Sequence, residues 1–356
     1  MIGDHSGGNE SYYTNILSNM DVSRDEVYVF VNKDADVSFL NDKFKIVRFS
    51  EESAFKRNFI EIPRLCRKYK LDILHMQYFI PFGCPCPTVV TIHDICFEHY
   101  RDIFTKKEYI RQKLLIPYAA KRSKAIFTVS DNAKEDIVEH YGVDPEKVYV
   151  TYNAVDSSFR RMSDEELNEA ELRDKYGIGS SPYVLTVGNL QPRKNLPRLI
   201  KAFVHMQKSL GPDVKLVIVG KKAWMTNDIF KEAMNHSEHI VFTDYVSRHD
   251  LIRLYNAATC FVYPSFFEGF GIPPLESMAC GTPVAVADRT SLPEVVGEAG
   301  LYFDPFSEEE IEAALTKLLT DSELRDDLIG RGLERVKNFS WAKSSEVIMN
   351  VYHKVI

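Results

Sequence analysis

Short apolar runs rich in β-branched residues recur along this chain, separated by stretches of helical period. That alternation limits the possible folds more than any other feature. The runs are Val27–Val31, Ile73–Met76, Val89–Ile92, Ile126–Val129 and Val148–Thr151, then Tyr183–Val187, Leu216–Val219, Ile240–Phe242, Cys260–Tyr263, Pro283–Val286 and Gly300–Phe303. Runs of this length without polar alternation suit strands covered on both faces, as in a parallel sheet. The stretches between them read as helices. Ser307-x-x-Glu310 reads as a capping box, with Ile311, Ala314, Leu315, Leu318 and Leu319 following at helical spacing. Strand alternating with helix implies an α/β protein with right-handed crossovers.

The two series of strands are separated by Asp156–Pro182, which holds a charged helical stretch and the linker-like run Gly177-Ile178-Gly179-Ser180-Ser181-Pro182. A chain of 356 residues suits two domains. The boundary is expected near 160/161, giving doubly wound domains over 1–160 and 161–339, with a final helix over about 340–356 returning to the first. Gly7-Gly8 follows the start almost at once, with no run before it that fits a strand. The first strand of the N-terminal sheet is therefore expected to be missing.

With 44 basic and 51 acidic residues, the net charge of −7 argues against bulk affinity for nucleic acid. No apolar run approaches the roughly 20 residues that span a bilayer. The six cysteines show no CxxC pair, and Cys84-Pro85-Cys86 is too tight for a typical metal clip. No metal site is expected, and a reduced cytoplasmic protein fits best.

Four segments carry chemistry. Pro264-Ser265-Phe266-Phe267-Glu268-Gly269-Phe270-Gly271-Ile272-Pro273-Pro274-Leu275-Glu276 follows one strand and enters a helix. Its glycines let a ligand approach backbone N–H groups near a helix N-terminus, and its two carboxylates suit sugar hydroxyls. The plain alternative is a solvated turn and an ordinary first helical turn. Gly188-Asn189-Leu190-Gln191-Pro192-Arg193-Lys194 also follows a strand, and its two cations suit a diphosphate that gains charge; the alternative is a surface basic pair. His93 and Asp94 end the strand Val89–Ile92, where polar groups reach a ligand crevice. His93 suits hydrogen bonding to phosphate or sugar, or proton exchange near neutral pH; the alternative is a His bonded to Asp94. Ser130 ends the next strand and reads as a helix N-cap. Gly7-Gly8 before a helix reads equally as a turn or as an approach for phosphate.

At the Glu-x7-Glu segment the sequence closely resembles glycosyltransferase family 4, retaining enzymes of the GT-B fold, and the likeness spans almost the whole chain. It implies two Rossmann-like domains facing a central cleft. It implies that Glu268 contacts the donor sugar and Glu276 the ribose of a sugar nucleotide. The backbone of Gly269, Phe270, Gly271 and Ile272 would lie near donor sugar and phosphates, and that around Val246 near the base. Lys194, with Arg193, would meet the diphosphate. Leu190 stands where some members carry an additional Arg. His93 would lie by the donor sugar, and Gly7 and Gly8 over the donor phosphates.

The resemblance further implies metal-independent hexosyl transfer without a cofactor, to a glycan or lipid-linked acceptor in polysaccharide or glycolipid synthesis. Mannose from GDP-mannose is the favoured donor; UDP-glucose and UDP-N-acetylglucosamine stay open, as do an epimerase or phosphorylase of similar fold and a catalytically silent sugar-nucleotide-binding subunit. Asp34-Ala35-Asp36 mimics a metal clamp but reads as a solvated loop. Two basic stretches stand out, Lys56–Lys70 and Lys106–Lys124. In the second, Tyr109, Ile110, Leu114, Leu115, Ile116 and Tyr118 interleave with the basic residues. That pattern fits either an interfacial helix on anionic lipid at the inner face of the plasma membrane or a helix packed on a sheet.

Overall fold

The computed structural model describes residues 8–211, 213–220 and 238–356. The chain divides into two compact units. One runs to Asn153 and includes Ser340–Ile356; the other is Ala154–Phe339. The boundary falls earlier than 160 because the linker's side chains pack on the second unit. Asp156 pairs with Arg248 at 2.6 Å, and the Phe159 ring lies 6.0 Å from that of Tyr255.

In the first unit, α1 (Gly8–Ser18) precedes β1 (Tyr28–Val31) and β2 (Lys45–Arg48), which pair in parallel as a two-stranded sheet. Helix α2 (Ile62–Lys68) leads to β3 (Leu74–Gln77) and β4 (Thr88–Thr91). Next come α3 (Lys106–Arg122), β5 (Ala125–Thr128), α4 (Asp131–Tyr141) and β6 (Val148–Val150). Strands β3 to β6 form a parallel sheet in chain order. Strands β4 and β5 are buried at every residue, as their apolar runs predict. Strand β2 is absent from the sequence-based reading because Lys45-Ile46-Val47-Arg48 is largely exposed and lacks an apolar run. The expected absence of a first strand, and Gly7, concern residues 1–7, which lie outside the described residues. Ser130 is the N-cap of α4, its Oγ accepting from Ala133 N at 3.0 Å. The C-terminal helix Trp341–Val355 packs on α1, where Ser345 Oγ donates to Ile16 O at 2.9 Å.

In the second unit, β7 (Tyr183–Val187), α5 (Leu196–Leu210), β8 (Lys215–Val219) and β9 (Ile240–Asp244) are followed by α6 (Arg248–Ala257) and β10 (Cys260–Tyr263). Then come α7 (Ile272–Ala279), β11 (Val284–Ala287), β12 (Gly300–Phe303) and α8 (Glu308–Thr320). The six strands are parallel, in the order β12-β11-β10-β7-β8-β9. The order reverses between β7 and β10, so successive crossovers leave on opposite sides and open a crevice at the carboxyl ends of these two strands. The capping box expected before α8 is half formed. Ser307 Oγ accepts from Glu310 N at 3.1 Å, but the Glu310 carboxylate accepts from Asp304 N at 2.8 Å.

Candidate active site in the second unit

The loops leaving β7 and β10 flank this switch point, and they carry the basic pair and the glycine segment. After β7 the chain closes on β8: Gly188 N donates to Val219 O at 2.9 Å. A Cβ at Gly220 would stand 2.0 Å from Gly188 O, so this approach requires glycine. A single 3-10 turn, Pro192–Lys194, then turns the cations back over the strand ends, and Asn195 anchors it by donating to Pro305 O at 2.6 Å.

Lys194 and Arg193 converge on Glu268. Lys194 Nζ lies 2.5 Å from Glu268 Oε1, and Arg193 Nη1 lies 2.7 Å from Oε2. Ser265 Oγ donates to Oε1 at 2.6 Å, and the Tyr263 hydroxyl donates to it at 3.1 Å. Lys194 also donates to the Tyr263 hydroxyl, with its ammonium over that ring. Lys194 and Glu268 are both buried. Burial opposes ionisation of Glu268, yet the adjacent Arg193 and Lys194 charges hold its pKa down at about 2. The sequence alternatives of a surface basic pair and a solvated turn carboxylate are thereby replaced by one buried ion cluster.

The glycine loop is fixed from below. Ser291 Oγ donates to Glu268 O and Phe270 O, each at 2.9 Å, and Glu268 N donates to Thr290 Oγ1 at 3.1 Å. Phe270 is buried, its ring edge-on to Phe339 at 5.5 Å. Gly271 caps α7 with φ +97°, and a Cβ there would meet Leu292 Cδ2 at 2.6 Å. Ile272 opens α7, half-buried. Glu276 lies one turn further, where the Tyr255 hydroxyl donates to Oε2 at 3.0 Å. Desolvation pushes its carboxyl up to about 7, against the pull of that hydrogen bond and of Arg248. The two carboxylates of the motif thus sit in opposite states of charge balance. Val246 is buried just after β9.

His93 belongs to the first unit, just beyond β4. It is buried, edge-on to Tyr12 with ring centroids 4.9 Å apart. The Gln77 amide meets its Nε2 at 3.2 Å. Burial pushes its pKa down to about 3, which leaves the ring neutral near pH 7. Asp94 Oδ1 accepts from Cys96 N at 3.0 Å. Gly8 opens α1, in the same unit. Asp34-Ala35-Asp36 lies in the loop joining β1 and β2, where Asp36 Oδ1 accepts from Ser38 N at 2.9 Å, as befits a loop.

Tyr255, Tyr263, Thr290 and Ser291 join the site without having been singled out. Tyr263 ends β10 and Ser265 follows it within three residues of Glu268, a position that is the signal by which they could have been found. Tyr255, Thr290 and Ser291 arrive from other elements and carry no local signal.

A model of glycosyltransferase family 4 matches residues 6–159, and a model of glycosyl transferases group 1 matches residues 168–335. O-antigen chain mannosyltransferase B of Escherichia coli is 34% identical over 296 residues, 80% of this chain and 75% of that protein. O-antigen chain mannosyltransferase RfbU of Salmonella typhimurium is 32% identical over 73% of this chain and 68% of its own. The serotype-specific mannosyltransferase WbdA of Escherichia coli is 29% identical over 76% of this chain but only 34% of its own length, so this chain spans about a third of that relative. Among solved structures, Anabaena HepE in complex with UDP and glucose superposes with a TM-score of 0.77 at 17% identity, covering 99% of this chain and 98% of that one. WaaG, a glycosyltransferase involved in lipopolysaccharide biosynthesis, superposes at 0.76 with 19% identity, covering 97% and 96%. With each unit matched in turn, and a relative one-third identical over most of both chains, this chain belongs to glycosyltransferase family 4 and is a glycosyltransferase of the GT-B fold.

Proposed function

We propose that the chain transfers mannose from GDP-mannose, with retention of configuration, to a glycan or lipid-linked acceptor in polysaccharide synthesis. The observation that carries this reading is the buried Lys194–Glu268–Arg193 cluster at the switch point of the second sheet. As the glycosidic bond breaks, negative charge collects on the leaving diphosphate. Lys194 and Arg193 supply fixed positive charge for it in a desolvated setting. Glu268 keeps both cations in place before the donor binds and accepts hydrogen bonds from the sugar hydroxyls. Glu276 accepts from the ribose, the Gly269–Gly271 backbone approaches sugar and phosphates, and the backbone around Val246 meets the base. His93, neutral and buried in the first unit, offers a hydrogen-bonding ring rather than a proton. Because two side-chain cations serve the leaving group, added magnesium should leave turnover unchanged. The mannosyltransferase relatives favour mannose as the sugar.

The test is a panel of sugar nucleotides scored by protection against thermal unfolding, followed by the anomeric configuration of the product. GDP-mannose giving the largest protection and an α-linked product supports the reading. Protection by a UDP-sugar alone overturns the donor, and protection without turnover, with acceptor extract supplied, favours a silent binding subunit.

The first unit favours contact with a membrane at its inner face. No helix among the described residues is long and apolar enough to cross one. Ile110 and Leu114 stand exposed one turn apart on α3, between the exposed Lys106, Lys107, Arg111 and Lys113. Beside α3, a row of ring contacts runs from exposed Phe55 through Phe59 to exposed Phe82 and on to Tyr118, at 5.0, 5.1 and 4.8 Å. Apolar tips ringed by cations suit an anionic bilayer surface. Cosedimentation with anionic but not neutral vesicles, reduced in Phe82→Ser/Leu114→Ser, is expected; negligible binding to both vesicle types removes the idea.

A further inference from the structure

Three of the cysteines that look scattered in the sequence come together in the first unit. Cys66 projects from α2, and Cys84 and Cys86 lie in the turn entering β4. The three Sγ atoms lie within 4.8 Å of one another, and those of Cys84 and Cys86 are 3.7 Å apart. A disulfide needs about 2.05 Å. Two sulfurs bound at about 2.3 Å to one tetrahedral metal ion stand about 3.8 Å apart. The Cys84–Cys86 spacing is one that two thiolates keep on a shared ion as well as one that two thiols keep in a hydrogen bond, and Cys66 Sγ lies close enough to join them.

The surroundings agree. Cys66 is buried with Phe49, Ile62 and Leu74, and Cys84 and Cys86 pack half-buried against that cluster. The Cys84 and Cys86 thiols hydrogen-bond each other. The Cys-Pro-Cys segment is too short to close a site alone; the helix supplies the third sulfur.

We propose that Cys66, Cys84 and Cys86 form a three-thiolate site for a thiophilic d10 metal ion, zinc(II), clipping α2 to the segment that enters β4. The fourth position takes water or a small exogenous ligand. Binding displaces the thiol protons to solvent, up to three per ion, and involves no change of oxidation state. The site lies in the first unit and is independent of the donor chemistry assigned to the second.

The test uses the full chain, stripped with a chelator under reductant, desalted without oxygen and titrated with cobalt(II). A thiolate-to-cobalt charge-transfer band saturating at one equivalent, and bleached by one equivalent of zinc(II), is expected. Cys66→Ser weakens binding at least about a hundredfold, Cys84→Ser/Cys86→Ser abolishes the band, and Cys96→Ser retains it. No band in the wild-type chain, or an unchanged band in Cys84→Ser/Cys86→Ser, overturns the proposal. The wild-type titration decides even if a variant fails to fold.

Discussion

Replacing Lys194 by Met tests the ion cluster with little change in side-chain volume. Lys194 and Glu268 have side-chain exposures of 11% and 8%, so Glu268 loses a charge partner that water cannot replace. Removing one member of a buried pair costs about 3–5 kcal/mol. Because Arg193 still holds Oε2, the lower end, about 3 kcal/mol, is expected. For a unit of this size that is roughly a 6–12 °C fall in the melting temperature of the second unit, read by scanning calorimetry at pH 7. The pH dependence gives a second readout. In the folded protein the Glu268 pKa is lowered from 4.5 to about 2, so its stabilisation is complete above 4.5 and is lost as pH falls towards 2. In Lys194→Met this acid-side loss shrinks, because the folded pKa climbs back towards its ordinary value. Glu268→Gln should also destabilise, and the double variant should cost less than the sum of the singles, since the two groups share one interaction. A melting shift under about 1 °C, or strict additivity in the cycle, refutes the reasoning.

Glu276 gives the opposite sign. Its carboxyl rises from 4.5 to about 7, so its ionisation opposes folding as pH climbs through that window, while the carboxylate form is the one that accepts from ribose. Donor affinity should strengthen as pH rises from 6 to 8, and Glu276→Gln should flatten that profile and lower kcat/KM at least about tenfold. Gly271→Ala should cost about 1–3 kcal/mol from its φ of +97° and displace the loop against Leu292, read as lower stability and weaker donor protection. His93→Gln, which keeps a neutral hydrogen-bonding group, should retain more activity than His93→Ala, with no new pH dependence between 6 and 8; equal loss in both would remove the hydrogen-bonding role.

Most strands were legible because two-sided burial demands continuous apolar runs, and the second sheet shows this at Tyr183–Val187 and Cys260–Tyr263. Strand Lys45–Arg48 was not, since its exposed side chains impose no pattern. The site was half legible. Lys194 and Glu268 sit in loops, and Glu276 in the first turns of the helix that follows, in segments whose glycines and position after strands announce a ligand. Their partners Tyr255, Thr290 and Ser291 meet them only through the sheet order, which local patterning does not encode. The same holds for Cys66, separated from Cys84 and Cys86 by a strand. The charge states were also hidden: neither the depressed Glu268 nor the raised Glu276 follows from sequence spacing, because each depends on what is buried beside it.

Calorimetric titration of GDP-mannose into the wild-type chain and into Lys194→Met/Glu276→Gln tests the central claim most directly. Saturable one-site binding to the wild type, weakened at least about a hundredfold in the double variant, is the predicted result. Binding of equal strength to both proteins would contradict it.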